Sequence, residues 1–229
     1  MRRLVLLGFL ILLIPYSAFA VGGIDGRGTN AGGCNGPVAT CNTIATPATG
    51  ETIIIGASWI GSVTAAATDS AGNTYNTLVG PVAATRGNLH AQAWVLNKPS
   101  KAGTYTFIVN LNGNESGNFL IWVWSLTGTV VSNPIDASAS NSGAGSVPTM
   151  RVASGVPGGT NDMFWGLFFI DRGGTPPSVG TDWTTAGTEN YSMAEYKNVN
   201  AAVAQTATGT NNNGSNWIGI VFAIKASSG

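Results

Sequence analysis

The sequence predicts an all-β protein, a two-sheet antiparallel β-sandwich of jelly-roll or immunoglobulin-like topology. Three observations carry this. Apolar residues recur at every second position in segment after segment, no amphipathic helical stretch of useful length follows residue 20, and turns rich in Gly, Asn, Ser and Thr recur at the spacing of short strands. The most apolar stretch after the first twenty residues is 117–126, Gly-Asn-Phe-Leu-Ile-Trp-Val-Trp-Ser-Leu. Read with period two, Leu120, Trp122, Trp124 and Leu126 share one face, and Phe119, Ile121 and Val123 share the other. A strand apolar on both faces belongs inside a layered structure, with something covering each side.

The first twenty residues have the three parts of a secretory signal peptide. Arg2 and Arg3 form a basic start, 4–14 an apolar run, and Ala18-Phe19-Ala20 a small-residue cleavage site. The run is shorter than the roughly 20 residues a spanning helix needs. A secreted, extracellular or periplasmic chain is expected, with no membrane span once the signal is removed. Residues 21–50 have no sustained period and are expected to form an irregular leader. Its two cysteines, Cys34 and Cys41, are expected to pair as a disulfide in an oxidising compartment. Zinc would be under-ligated there, since no His lies nearby. Residues 51–229 are expected to form one sandwich domain.

Within that domain Ile53, Ile55, Ala57 and Trp59 alternate with Ile54, Gly56 and Ser58, and 63–68 continues as a second strand. Residues 69–75, Asp-Ser-Ala-Gly-Asn-Thr-Tyr, suit a type I turn and predict a hairpin with a bulge. A calcium site at Asp69 and Asn73 would lack the further acidic oxygens such sites use. Over 104–111, Tyr105, Phe107, Val109 and Leu111 oppose Thr104, Thr106 and Asn110, as in a strand with one wet face. A long polar connection over 134–146 suits a crossover between sheets, and 163–170 is a second doubly apolar strand. Modest strands follow over 183–187, 192–197 and 202–208, and 217–225 closes the domain. No long-period internal repeat is visible.

Residues 63–75, then Ala93-Trp94-Val95-Leu96-Asn97-Lys98, then 102–109 resemble a type of secreted bacterial β-sandwich module. Such modules run strand, Asp-Ser-x-Gly-Asn-Thr-aromatic hairpin, strand ending in Asn-Lys, and a Gly-led strand rich in Thr and Val. The resemblance implies an exported or cell-surface protein and carries no particular activity.

Only 9% of residues are charged and the formal net charge is zero. A neutral, charge-poor surface provides no electrostatic footprint for nucleic acid. The one histidine, His90, sits on a strand pattern, and no Gly-x-Ser-x-Gly elbow is present. The ten acidic residues are scattered, mostly in turns, so a glycosidase pair would have to be assembled by folding. No catalytic set, cofactor or metal site is expected. The seven tryptophans are either core or, on a sheet rim, stacking surfaces for sugar rings. Trp183 beside Asp182, and Trp94 beside Gln92, are the rim candidates and the expected ligand-binding residues. Asn114, Asn190 and Asn213 begin Asn-x-Ser/Thr sequons. The expected function is a non-catalytic binding or adhesion module whose partner is a glycan or a cell-surface or matrix component. The alternatives are a self-associating extracellular structural subunit and a secreted carbohydrate-active hydrolase.

Overall fold

Four antiparallel sheets stack in the order small, large, large, small. The computed structural model describes residues 24–25, 32–35, 39–47, 52–61, 63–97, 103–113, 118–130, 132–145 and 149–227; the segment expected to be a signal peptide lies outside them. The strands of the first half are β1 (Ile24–Asp25), β2 (Gly32–Asn35), β3 (Thr40–Ala45), β4 (Thr52–Ile60), β5 (Ala65–Asp69), β6 (Asn76–Ala83), β7 (Leu89–Asn97), β8 (Tyr105–Leu111) and β9 (Asn118–Leu126). The second half supplies β10 (Ile135–Gly143), β11 (Thr149–Ala153), β12 (Asp162–Ile170), β13 (Ser178–Val179), β14 (Thr184–Glu189), β15 (Ser192–Val199), β16 (Thr206–Thr210) and β17 (Trp217–Ile224).

The first large sheet runs β1-β9-β4-β7-β6, with β2 also on β9, and the first small sheet runs β3-β8-β5. The second large sheet runs β10-β17-β12-β15-β14, and the second small sheet β11-β16-β13. Number the strands of each half from β2 and from β10. Both halves then read 1-8-3-6-5 in the large sheet and 2-7-4 in the small one. This is the order of an eight-stranded jelly roll with its fifth strand moved onto the edge of the large sheet. The all-β sandwich expectation is met, in the jelly-roll rather than the immunoglobulin form. The sandwich strand order occurs twice along the chain.

The doubly apolar strands explain the stacking. On β9, Trp122, Trp124 and Leu126 face a seam shared with Met163, Trp165, Leu167 and Phe169 of β12 and with Ile218, Ile220 and Phe222 of β17. The other face of β9 sends Phe119, Ile121 and Val123 toward Phe107 and Val109 of the first small sheet. The second half repeats this, with Phe164 and Phe168 packed against Met150, Val152 and Ala207. Each large sheet is thus buried on both sides, as its sequence pattern requires.

Ladder registers align the two halves residue by residue. The pair Ile54 and Trp124 corresponds to Trp165 and Phe222, and all four side chains face the seam. On that alignment Gly56 corresponds to Leu167, and the two meet. A Cβ on Gly56 would lie 2.9 Å from Leu167 Cδ1, so the glycine is the socket into which that leucine fits. Aligned positions differ in type nearly everywhere, which is why the repeat is invisible in the sequence.

Three local expectations change, the first being that the polar connection expected over 134–146 is strand β10 (Ile135–Gly143). The 69–75 turn is not a hairpin: β5 pairs with β8 and β6 with β7, so the turn carries the chain from a small sheet to a large one. The Asp69 carboxylate takes the place of a ladder. Its Oδ1 accepts the Ala71 and Asn73 backbone N–H groups (2.9 and 3.1 Å), and its Oδ2 accepts Asn73 Nδ2 and the Tyr75 hydroxyl (2.8 Å each). Burial pushes this carboxyl up, but the bonds from Asn73, Tyr75 and Ala71 together outweigh burial and hold it below the usual range. All four acceptor sites are used by the chain itself, so the turn is closed to a cation. Asp69→Ala should cost about 2–3 kcal/mol in urea unfolding, since these are bonds to a charged group. The depressed carboxyl stabilises the fold above its ordinary titration range, and that contribution is lost as pH falls through the folded value.

The segment expected to be an irregular leader contributes β1, β2 and β3. Gly, Thr and Asn hide a strand from a hydrophobicity reading when its pairing partner, here β9 or β8, supplies the apolar side chains. The Cys34–Cys41 disulfide is present, with Cα atoms 5.6 Å apart. It joins β2 of the large sheet to β3 of the small one, so it fastens two layers at their edge.

Candidate functional site

The sequence-predicted ligand residues are placed apart. Trp94 and Gln92 lie on β7, Trp94 2% and Gln92 4% exposed, and Gln92 Nε2 donates to Thr77 Oγ1 at 3.3 Å. The Trp94 indole belongs to the core between the first large and small sheets. Trp183 belongs to the matching core of the second half, is 9% exposed, and donates its indole N–H to the Thr206 carbonyl at 3.2 Å. Asp182 is exposed in the turn before it, at φ 66°. Neither indole offers an open ring face, and the other five tryptophans are at most 4% exposed. The polar neighbours in sequence, Gln92 two residues before Trp94 and Asp182 one before Trp183, do not reveal that a second sheet lies over both indoles.

His90 stacks on Trp59, with ring centroids 6.0 Å apart and planes 14° from parallel. Its Nδ1–H is directed at the Asn88 carbonyl, 2.9 Å away. Of the sequons, Asn190 is exposed in the β14–β15 turn. Asn213 donates to the Thr175 carbonyl at 2.7 Å and accepts the Thr175 N–H at 3.1 Å, while Asn114 lies outside the described residues.

Folding assembles three features that the sequence did not announce. The first is a groove of about 370 Å³ at one end of the seam, lined by Asn76, Thr77, Leu78, Val95, Asn97, Asn133, Pro134 and Ile135. Strands β6 and β7 form one wall and the segment leading into β10 the other, so the groove needs both halves. Its floor is apolar, with Leu78, Val95 and Ile135 belonging to the seam packing, and its lip is amide and hydroxyl. Asn97 Oδ1 is buried and accepts no hydrogen bond among the described residues. A buried acceptor without a donor costs free energy and is unusual enough to require a reason.

The second feature is a polar row across β10, β17 and β12. Pairing of Ile135 with Ile224 and of Ala137 with Ala223 leaves Asp136 in a β-bulge, and pairing of Met163 with Ile224 brings Asp162 level with Lys225. Lys225 Nζ lies 3.6 Å from Asp136 Oδ1 and 3.3 Å from the Asn133 carbonyl. Asp136 Oδ2 accepts the Gly159 N–H at 2.8 Å. Asp162 is 2% exposed, and its Oδ2 meets no donor among the described residues. Burial first, then its hydrogen bond with Asp136 and the charge there, push its carboxyl up to about 6. Burial raises Asp136 as well, but the Gly159 N–H, the bond from Asp162 and the Lys225 charge outweigh it, so Asp136 lies below the usual range. A proton held by Asp162 and given to Asp136 reconciles two carboxyls in contact. The carboxyls of a glycosidase stand roughly 5 Å or more apart, with the sugar bond between them. A directly bonded pair leaves no such space.

The third feature is Glu195, fully buried on β15. Its Oε2 accepts the Gly180 N–H and its Oε1 the Thr208 N–H, both at 3.0 Å. Gly180 and Thr208 are the residues at which the short β13–β16 ladder stops, after the Val179–Gly209 pair. The carboxyl thus caps two strands where their own ladder ends. In the aligned first half the pair Ile55–Trp94 occupies the place of Gly166–Glu195. Gly166 is needed because a Cβ there would lie 3.0 Å from Glu195 Cγ and 2.8 Å from Ala207 Cβ.

Among the described residues no cluster of three metal-ligating side chains occurs, and no helix is long and apolar enough to cross a membrane. The disulfide is compatible with an extracellular location. The chain matches no protein-family model, no curated protein and no solved structure.

Proposed function

We propose that the chain is an exported, non-catalytic binding module of the cell surface or matrix, which takes a small polyhydroxylated ligand such as a sugar residue in the seam groove. The observation that carries this is the unpaired Asn97 Oδ1 in a groove with an apolar floor and an amide-rich lip. A sugar presents C–H surface to Leu78, Val95 and Ile135 and hydroxyl donors to Asn97, Asn76 and Asn133. The signal-like first twenty residues, the disulfide and the resemblance to secreted bacterial sandwich modules support export. Recognition here rests on amides rather than on stacking indoles, because Trp94 and Trp183 are covered.

A glycan array probed with the processed protein should show binding to a restricted set of sugars. Asn97→Leu should weaken that binding about tenfold, the loss of one well-placed hydrogen bond. An array blank for the folded protein, or one unaffected by Asn97→Leu, would remove the groove from consideration. Assembly through sheet edges is less well supported. The outer edge β6 carries Pro81 and two register shifts, and the outer edge β14 a bulge between Thr185 and Gly187, which are devices that discourage strand addition.

A further inference from the structure

We propose that Lys225 and Asp136 join through an intramolecular amide bond, formed without any other protein and assisted by Asp162. The geometry that points to it is the row across three neighbouring strands. The amine comes from the residue following β17, the acceptor carboxyl from the bulge in β10, and a second carboxyl from the first position of β12. Bulges re-aim a side chain out of the ladder, and here the bulge turns Asp136 onto Lys225 Nζ at 3.6 Å. Asp136 is 10% exposed and Lys225 31%.

An ion pair alone leaves Asp162 unexplained. A second carboxyl, 2% exposed and with one oxygen lacking any donor, makes a simple Lys–Asp pair less stable by adding a buried acid. As a proton carrier it has a use. Its hydrogen bond with Asp136 makes that carboxyl a better electrophile, and its raised affinity for protons keeps a large fraction of it loaded near pH 6. The Asn133 carbonyl, 3.3 Å from Nζ, helps orient the amine.

The reaction balances within the chain. The Lys225 ammonium gives up a proton, and Nζ attacks the Asp136 Cγ polarised by Asp162. The N–C bond forms, one C–O bond of Asp136 breaks, and that oxygen departs as water carrying two of the three ammonium protons. Asp162 relays a proton and ends as it began. Holding the reactants in van der Waals reach supplies the effective concentration that makes a condensation feasible in water. The product would tie the first strand of the second jelly roll to the end of its last.

The test is the intact mass of the processed, folded protein, followed by proteolysis and sequencing of any branched peptide. The expected result is a mass lower by one water than the disulfide-bonded chain, with a branched peptide joining Asp136 to Lys225. Lys225→Arg and Asp136→Ala should each restore the full mass. Asp162→Asn should do so too while leaving Lys225 and Asp136 in place, and its circular dichroism checks that it has folded. A wild-type protein of full mass after prolonged incubation near pH 6, or a water loss mapped elsewhere, would overturn the proposal. The wild-type measurement decides even if a variant does not fold.

Discussion

Trp124→Ala should destabilise the protein by about 3–5 kcal/mol, the range for removing a large aromatic side chain from a packed core. Trp124 is fully buried at the seam, stacked on Trp122 with centroids 5.5 Å apart and tilted against Trp165 at 5.2 Å. The ring belongs to the first half and its neighbour Trp165 to the second, so the cavity opens between the two jelly rolls. Both halves should therefore lose stability together. Calorimetry of the wild type is expected to show one transition whose calorimetric and van't Hoff enthalpies agree. Two resolved transitions, with only one moved by Trp124→Ala, would mean that the seam does not couple the halves. The conservative variants sharpen the test. Trp122 donates its indole N–H to Ser192 Oγ at 2.8 Å, whereas the Trp124 N–H has no partner. Trp122→Phe should accordingly cost more than Trp124→Phe, because only the former discards a bond and strands a buried hydroxyl.

The second large effect is a pH dependence centred on Glu195. Burial pushes its carboxyl up to about 7, with the Gly180 and Thr208 N–H groups pulling weakly the other way. The folded state then holds the proton more tightly than the unfolded chain does. Its contribution is fully present below the ordinary carboxyl value and is lost as pH rises through about 7. The size of the displacement corresponds to about 3 kcal/mol. In denaturant unfolding from pH 4 to pH 8, Glu195→Gln should start below the wild type at the acid end, because its amide has one acceptor for the two N–H groups. The wild type should then lose about that amount more than Glu195→Gln on going to the alkaline end. Parallel curves would mean that the carboxyl does not titrate with folding. Glu195→Ala should be worse than Gln at every pH, since it leaves two buried N–H groups unpaired at about 1–3 kcal/mol each. Asp162 displaces stability in the same direction, so a loss toward alkaline pH that survives in Glu195→Gln belongs to it, whereas the depressed Asp69 and Asp136 act at the acid end.

Much of the layering was legible in the sequence because burial on two faces leaves a plain mark. The runs at 117–126 and 163–170 each demanded a cover on both sides, and each has a large sheet on one side and a small sheet on the other. What covered them was not legible. Period-two alternation gives the faces of a strand but not its partners, so the turn at Asp69 read as a hairpin although its strands pair elsewhere. The strands before residue 50 were hidden for a related reason: β2 and β3 take much of their stability from β9 and β8. The candidate groove draws on residues some sixty positions apart, with Asn76 at one extreme and Ile135 at the other. Proximity of that kind follows from topology, and no local pattern encodes it. Asp136 looked like one of several scattered turn acids, and nothing local set it beside Asp162 or Lys225 until three strands aligned them.

The double jelly roll, met face to face in one polypeptide, carries a further consequence. Two identical chains joined through this surface by a two-fold axis would make every contact twice, residue i on j and j on i, so any change on one side would appear on the other. A single continuous chain escapes that restriction. A glycine socket can receive a leucine from its counterpart position, and a tryptophan in one half can become a glutamate in the other. A bulge with its lysine can likewise be built beside one sheet alone. Asymmetry of this order lets such a molecule present a different working end on each half while the shared middle stays closed.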